Sequence, residues 1–155
     1  MPNFKGHMCG GLAAYGIVLA ALCAWRGSMP GPMVAMEWLV FTLSGAMFPD
    51  IDVKSRSQNY FYWLIILLLI VLINTGRYAL LASVSVFAIM PMLVRHRGLF
   101  HRLWFVILFP LTCWSVLNLY MPRVASVLWL HTIFFIVGAI SHLWLDLGWR
   151  RMLRI

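Results

Sequence analysis

The sequence predicts an all-α membrane protein: a polytopic transmembrane helical bundle of about six helices, folded as a single domain over residues 1–155. Three observations predict it. The chain is 63% apolar and 10% charged, against roughly 45–50% and about 25% in a typical soluble domain. So few charges cannot cover so much apolar surface, and lipid must be the solvent for much of it. Apolar runs recur at lengths near the roughly 20 residues that span a bilayer core. Finally, Lys and Arg gather in alternate connections between those runs.

The runs are 8–25, 33–49, 60–75, 78–95, 103–121 and 124–147. The first follows Lys5, His7 and Cys9 and is long enough to span, so it reads as a retained helix rather than a cleaved leader. The second is short. It starts near Pro30-Gly31-Pro32 and ends at Pro49. The third and fourth are separated by Asn74-Thr75-Gly76-Arg77, a turn-like break that makes them a tight hairpin. Pro91 and Pro110 fall inside the fourth and fifth, where membrane helices tolerate proline with a kink. The small-residue stretch Gly10-Gly11-Leu12-Ala13-Ala14 permits close packing, within the bundle or between copies. Cys9, Cys23 and Cys113 have no metal-ligand spacing and read as small core residues.

Six crossings place both termini on one side. That side carries Lys5, Lys54, Arg56, Arg95, Arg97, Arg102, Arg150, Arg151 and Arg154, while Arg26, Arg77 and Arg123 lie on the other. The bias makes the richer side cytoplasmic. It also accounts for the net charge of +8, so no nucleic-acid partner is expected. Trp25, Trp63, Trp104, Trp144 and Trp149 fall near span ends, as an interfacial belt requires.

The chain has four carboxylates and five histidines. On this topology His7, Asp50, Asp52, His96, His101, His142 and Asp146 all come to the cytoplasmic end, from four separate regions of sequence. Such groups are costly near hydrocarbon and mark function there. Histidine with carboxylate is the ligand set for Zn²⁺, Mn²⁺ or Fe²⁺. His142 and Asp146, spaced i, i+4, project from one helix face. His96 and His101 can share a metal only if the chain breaks between them, which Gly98 allows. Each piece also has a plainer reading: a turn at Pro49-Asp50, interfacial histidines at His96 and His101, and a helix-tying pair at His142 and Asp146. Their coincidence on one face favours a shared metal site. Glu37 belongs near the opposite face, and His131 reads as a packing histidine.

The same residues form a family pattern. A histidine before a Gly-rich first helix, then Phe48-Pro49-Asp50-Ile51-Asp52, His96-Arg97-Gly98-Leu99-Phe100-His101 and Ser141-His142-Leu143-Trp144-Leu145-Asp146, resembles the YdjM-type family. These are bacterial inner-membrane proteins described as metal-dependent hydrolases. The resemblance spans nearly the whole chain. It implies a polytopic helical fold in the bacterial inner (cytoplasmic) membrane and a distant kinship with the zinc-dependent phospholipase C and P1-nuclease group. It carries over His7, Asp50, Asp52, His96, His101, His142 and Asp146 as metal-site positions. Phe100 and Arg102 stand where the family pattern has Thr and Ser, which removes two hydroxyls.

The expected function is hydrolysis of a phosphoester or lipid-linked substrate at the cytoplasmic membrane face, with a divalent metal, foremost zinc. Asp50, His96, His101, His142 and Asp146 are the foremost ligands, and Asp52 or His7 completes a second site or acts as general base. Arg97, Arg102, Lys54 and Arg56 are the candidate clamp for an anionic group. The partner is then a membrane lipid or lipid-linked phosphate, with a homo-oligomer or a membrane partner left open. The alternative is a non-catalytic membrane subunit or exclusion factor with a structural metal.

Overall fold

Asn3 opens the first helix. Its side-chain oxygen accepts a hydrogen bond from the Gly6 N–H at 3.1 Å, the N-cap geometry that satisfies an otherwise orphaned donor. Helix α1 then runs Phe4–Arg26 and stops at Gly27, whose φ of 68° is the left-handed conformation of a C-cap. The computed structural model describes residues 3–51, 56–76, 78, 81–82, 84–85, 88–89 and 99–152. No strand occurs among them. In hydrocarbon a helix satisfies every backbone group within one segment.

Helix α2 spans Pro32–Met47, with proline in its first turn, where the missing N–H costs nothing. At 16 residues it extends about 24 Å, less than the roughly 30 Å hydrocarbon core. A 3₁₀ turn, Phe48–Asp50, continues it. The remaining elements are α3 (Arg56–Asn74), a 3₁₀ turn at Leu99–His101, α4 (Leu103–Tyr120) and α5 (Pro122–Met152). Among the described residues, α1, α3, α4 and α5 are long and apolar enough to cross a membrane. The described residues between 78 and 89 are helical.

The chain forms two compact units, one of residues 1–49 and 101–155, the other of residues 50–100. In the first, α5 is the axis on which α1, α2 and α4 pack. The closest approach is between α2 and α5. A Cβ on Gly45 would overlap the Phe135 carbonyl, and one on Gly138 would overlap the Thr42 carbonyl. These glycines let two helix backbones touch, which is how membrane helices associate when lipid offers no hydrophobic drive. A Cβ on Gly11 would press on Ala46, so this part of the small-residue stretch packs inside the bundle. Phe48 stacks on Phe105 and Phe109 and meets Phe135 edge-on, and Trp38 stacks on Phe134. In the second unit, α3 carries Tyr62, whose hydroxyl donates to the Ala88 carbonyl at 3.3 Å.

Helix α1 contains the apolar run 8–25 and extends beyond it to Phe4, because Asn3 caps it. One expectation shifts. Cys9 and Cys113 are exposed and Cys23 is half-buried, not core residues. A small thiol can face hydrocarbon at little cost, so burial does not sort it as it would in water. Asp52, Lys54, His96 and Arg97 lie outside the described residues.

Candidate metal centre

Helix α5 supplies the floor of the centre. It runs without interruption through His142 and Asp146 and first departs from helical geometry at Gly148, with φ 68° and ψ 162°. The i, i+4 spacing therefore holds on one regular face. His142 is fully buried. Its Nδ1 lies 2.7 Å from the carbonyl of Ala46 in the last turn of α2. A carbonyl can only accept, so Nδ1 carries the proton and donates it. The last carbonyls of a helix have no donor within the helix, and Pro49 brings no N–H to the turn that follows. The end of α2 thus orients the imidazole on α5. It leaves Nε2 facing Asp146.

Asp146 has a buried side chain, 5% exposed, and presents its two oxygens to different partners. Oδ2 lies 3.6 Å from His142 Nε2 and 3.7 Å from His101 Nε2. Oδ1 lies 3.3 Å from His7 Nε2. That last approach is an ion-pair distance without hydrogen-bond angles, and Oδ1 has no hydrogen-bond partner among the described residues. The His7 ring stacks on that of His142, with centroids 3.8 Å apart and planes 13° from parallel. His101, in the turn before α4, meets His142 edge-on with centroids 5.7 Å apart.

One ligand-type atom from each of Asp50, His101, His142 and Asp146 can be chosen so that all four lie within 4.8 Å of one another. Ligands about 2.0–2.1 Å from a tetrahedral Zn²⁺ are separated by about 3.3–3.4 Å. The 3.6 and 3.7 Å separations are a slight expansion of that figure. The charge also fits. Two carboxylates with neutral imidazoles sum to −2, which one divalent ion cancels. Without a cation, a buried carboxylate facing imidazoles would carry uncompensated charge unless a ring were protonated. The residues present therefore fit a divalent metal.

Of the seven predicted metal-site residues, the structure brings Asp50, His101, His142 and Asp146 into one group and sets His7 against Asp146. Asp52 and His96 lie outside the described residues. Among the four cationic candidates, Arg102 is exposed in the N-cap position of α4, next to His101. Arg56 is exposed at the start of α3, and Lys54 and Arg97 lie outside the described residues.

Sequence reasoning missed the pairing of Glu37 with His131. His131 is buried, its Nδ1–H donates to the Val127 carbonyl at 3.0 Å, and its Nε2 lies 3.0 Å from Glu37 Oε2. Trp38 and Phe41 meet its ring edge-on. It is a packing histidine with a carboxyl partner, on the same two helices as His142 but about 16 Å along α5 from it. The partners are 94 residues apart, and no local spacing signals such a pair.

A family model described as YdjM inner membrane protein matches residues 1–154 of the chain. No curated protein matches it, and no solved structure matches it.

Proposed function

Because the chain belongs to the YdjM inner membrane protein family, whose model covers it from residue 1 to 154, we propose that this multi-pass inner-membrane protein is a metal-dependent hydrolase. Its substrate would be a phosphoester or lipid-linked phosphate at the cytoplasmic face. The observation that carries the reading is the convergence of Asp50, His101, His142 and Asp146. Around it we place six crossings with both termini in the cytoplasm, on the nine-to-three partition of Lys and Arg.

Asp50, His101, His142 and Asp146 would hold the metal, with zinc the foremost candidate and Mn²⁺ or Fe²⁺ next for an oxygen- and imidazole-rich set. When bound, a divalent ion supplies a water of lowered pKa and a Lewis acid for a phosphoryl oxygen. The protein's own work is to orient and to exclude. Ala46 fixes the tautomer of His142, the outer-sphere contact that metal-bound imidazoles generally require. The Phe48, Phe105 and Phe109 stack builds an apolar wall beside the turn that ends at Asp50. Arg102 follows His101 directly and would meet an anionic group. Asp52 remains the candidate general base, with His96 as a further ligand and Lys54, Arg56 and Arg97 as further cations.

A structural metal in a non-catalytic membrane protein is the second reading, and the count of four protein donors favours it, since structural zinc is closed by four. The donor types favour catalysis. Structural zinc sites are dominated by cysteine thiolates, and none of the three cysteines belongs to the group.

The test is phosphate release from phosphatidylcholine vesicles doped with phosphatidic acid or with a long-chain isoprenyl diphosphate. The wild type should release phosphate only when metal-loaded, and Asp146→Asn should stay folded and inactive. Metal-loaded wild type that releases none, with Asp146→Asn failing to accumulate, would support the structural role instead.

A further inference from the structure

We infer that His7 is not a ligand of the metal bound by His142 but the positioning residue that aims Asp146 at it. The inference rests on the metal reading above and departs from the family resemblance, which carries His7 over as a metal-site position.

The geometry of the two rings decides the matter. A metal bonded to an imidazole lies along the nitrogen lone pair, in the plane of the ring. The rings of His7 and His142 are stacked 3.8 Å apart and within 13° of parallel. Planes so nearly parallel do not meet within reach of a bond of about 2.0–2.1 Å. An ion in the plane of His142 lies off the face of His7. An ion midway between the rings would have to bond almost perpendicular to both, where neither has a lone pair. His101 has no such conflict, because its ring stands at 76° to that of His142.

What His7 does reach is Asp146. The carboxylate divides its oxygens: Oδ2 faces His101 and His142, and Oδ1 faces His7 Nε2 at 3.3 Å. With the buried His7 ring lying 3.3 Å from Oδ1, the carboxylate has no room to turn edge-on to the ion, which leaves Oδ2 for it. The placement of His7 follows from Asn3. The cap begins α1 at Phe4, the His7 N–H bonds the Asn3 carbonyl at 3.2 Å, and the first turn of α1 is thereby fixed beside α5. Gly10 allows the approach, since a Cβ there would overlap the Leu145 side chain next to Asp146.

The experiment uses full-length protein in lipid nanodiscs, loaded with Co²⁺. Contact-shifted exchangeable proton signals count the ligating imidazoles. Wild type and His7→Gln should give the same number of such signals and the same ligand-field bands, while His142→Ala loses both. Cobalt affinity should fall about 10–100-fold in His7→Ala, the usual cost of losing an outer-sphere partner. It should recover most of the way in His7→Gln, whose side chain can occupy the same place against Oδ1. Should His7→Ala fail to accumulate, His7→Gln carries the signal count alone. Loss of one imidazole signal in His7→Gln overturns the inference while leaving the metal reading intact. A wild type that binds no cobalt overturns both.

Discussion

His142 Nδ1 and the carbonyl of Ala46, 96 residues earlier in the chain, are joined by a 2.7 Å hydrogen bond in the buried seam between α2 and α5. The bond settles which nitrogen faces Asp146, so the chemistry of the centre depends on how closely two helices approach.

That dependence is testable at the glycines. In Gly138→Ala the new methyl would overlap the Thr42 carbonyl, and in Gly45→Ala the Phe135 carbonyl. Neither obstacle is a side chain that can swing aside. Each substitution should destabilise the protein by about 1–3 kcal/mol in detergent unfolding titrations and weaken metal binding in parallel. Gly16→Ala meets nothing within 4 Å and should leave both unchanged.

Asn3→Ala removes the side-chain acceptor for the Gly6 N–H. A lost N-cap costs about 1 kcal/mol, and here it frays the turn that carries His7. Amide exchange should quicken over residues 4–8, and metal affinity should fall by less than it does in His7→Ala. Unchanged exchange there would show that α1 is fixed by packing alone.

The Glu37–His131 pair offers the converse case. His131→Ala abolishes two hydrogen bonds at a buried position and should cost about 1–3 kcal/mol of stability. Metal stoichiometry should not change, because the pair lies about 16 Å along α5 from His142. Metal loss in a folded His131→Ala protein would show that the two ends of the α2–α5 seam are coupled.

The helical membrane character and the grouping of Asp50, His101, His142 and Asp146 could be read from the sequence because both are carried by local signals. These are runs of apolar residues, the i, i+4 spacing of His142 and Asp146, and breaks at Pro49 and Gly76. What escaped were relations across the chain. The Ala46 carbonyl has no side chain to mark it, so its hold on His142 left no trace. Gly45 and Gly138 resemble ordinary membrane-helix glycines until their helices are seen in contact. Helix α1 extends beyond the apolar run 8–25 to Phe4 because Asn3 caps it, and hydropathy does not register a cap. The angle between the His7 and His142 rings, on which the inferred role of His7 rests, has no local signal, because sequence can gather residues at one depth but cannot set such an angle.

The most direct test is the metal content of freshly purified full-length protein, by elemental analysis, for wild type and His142→Ala. The account predicts stoichiometric divalent metal in the wild type and its loss in a folded His142→Ala protein. Wild type isolated without metal and unable to take it up, or a His142→Ala protein that retains a full complement, would contradict it.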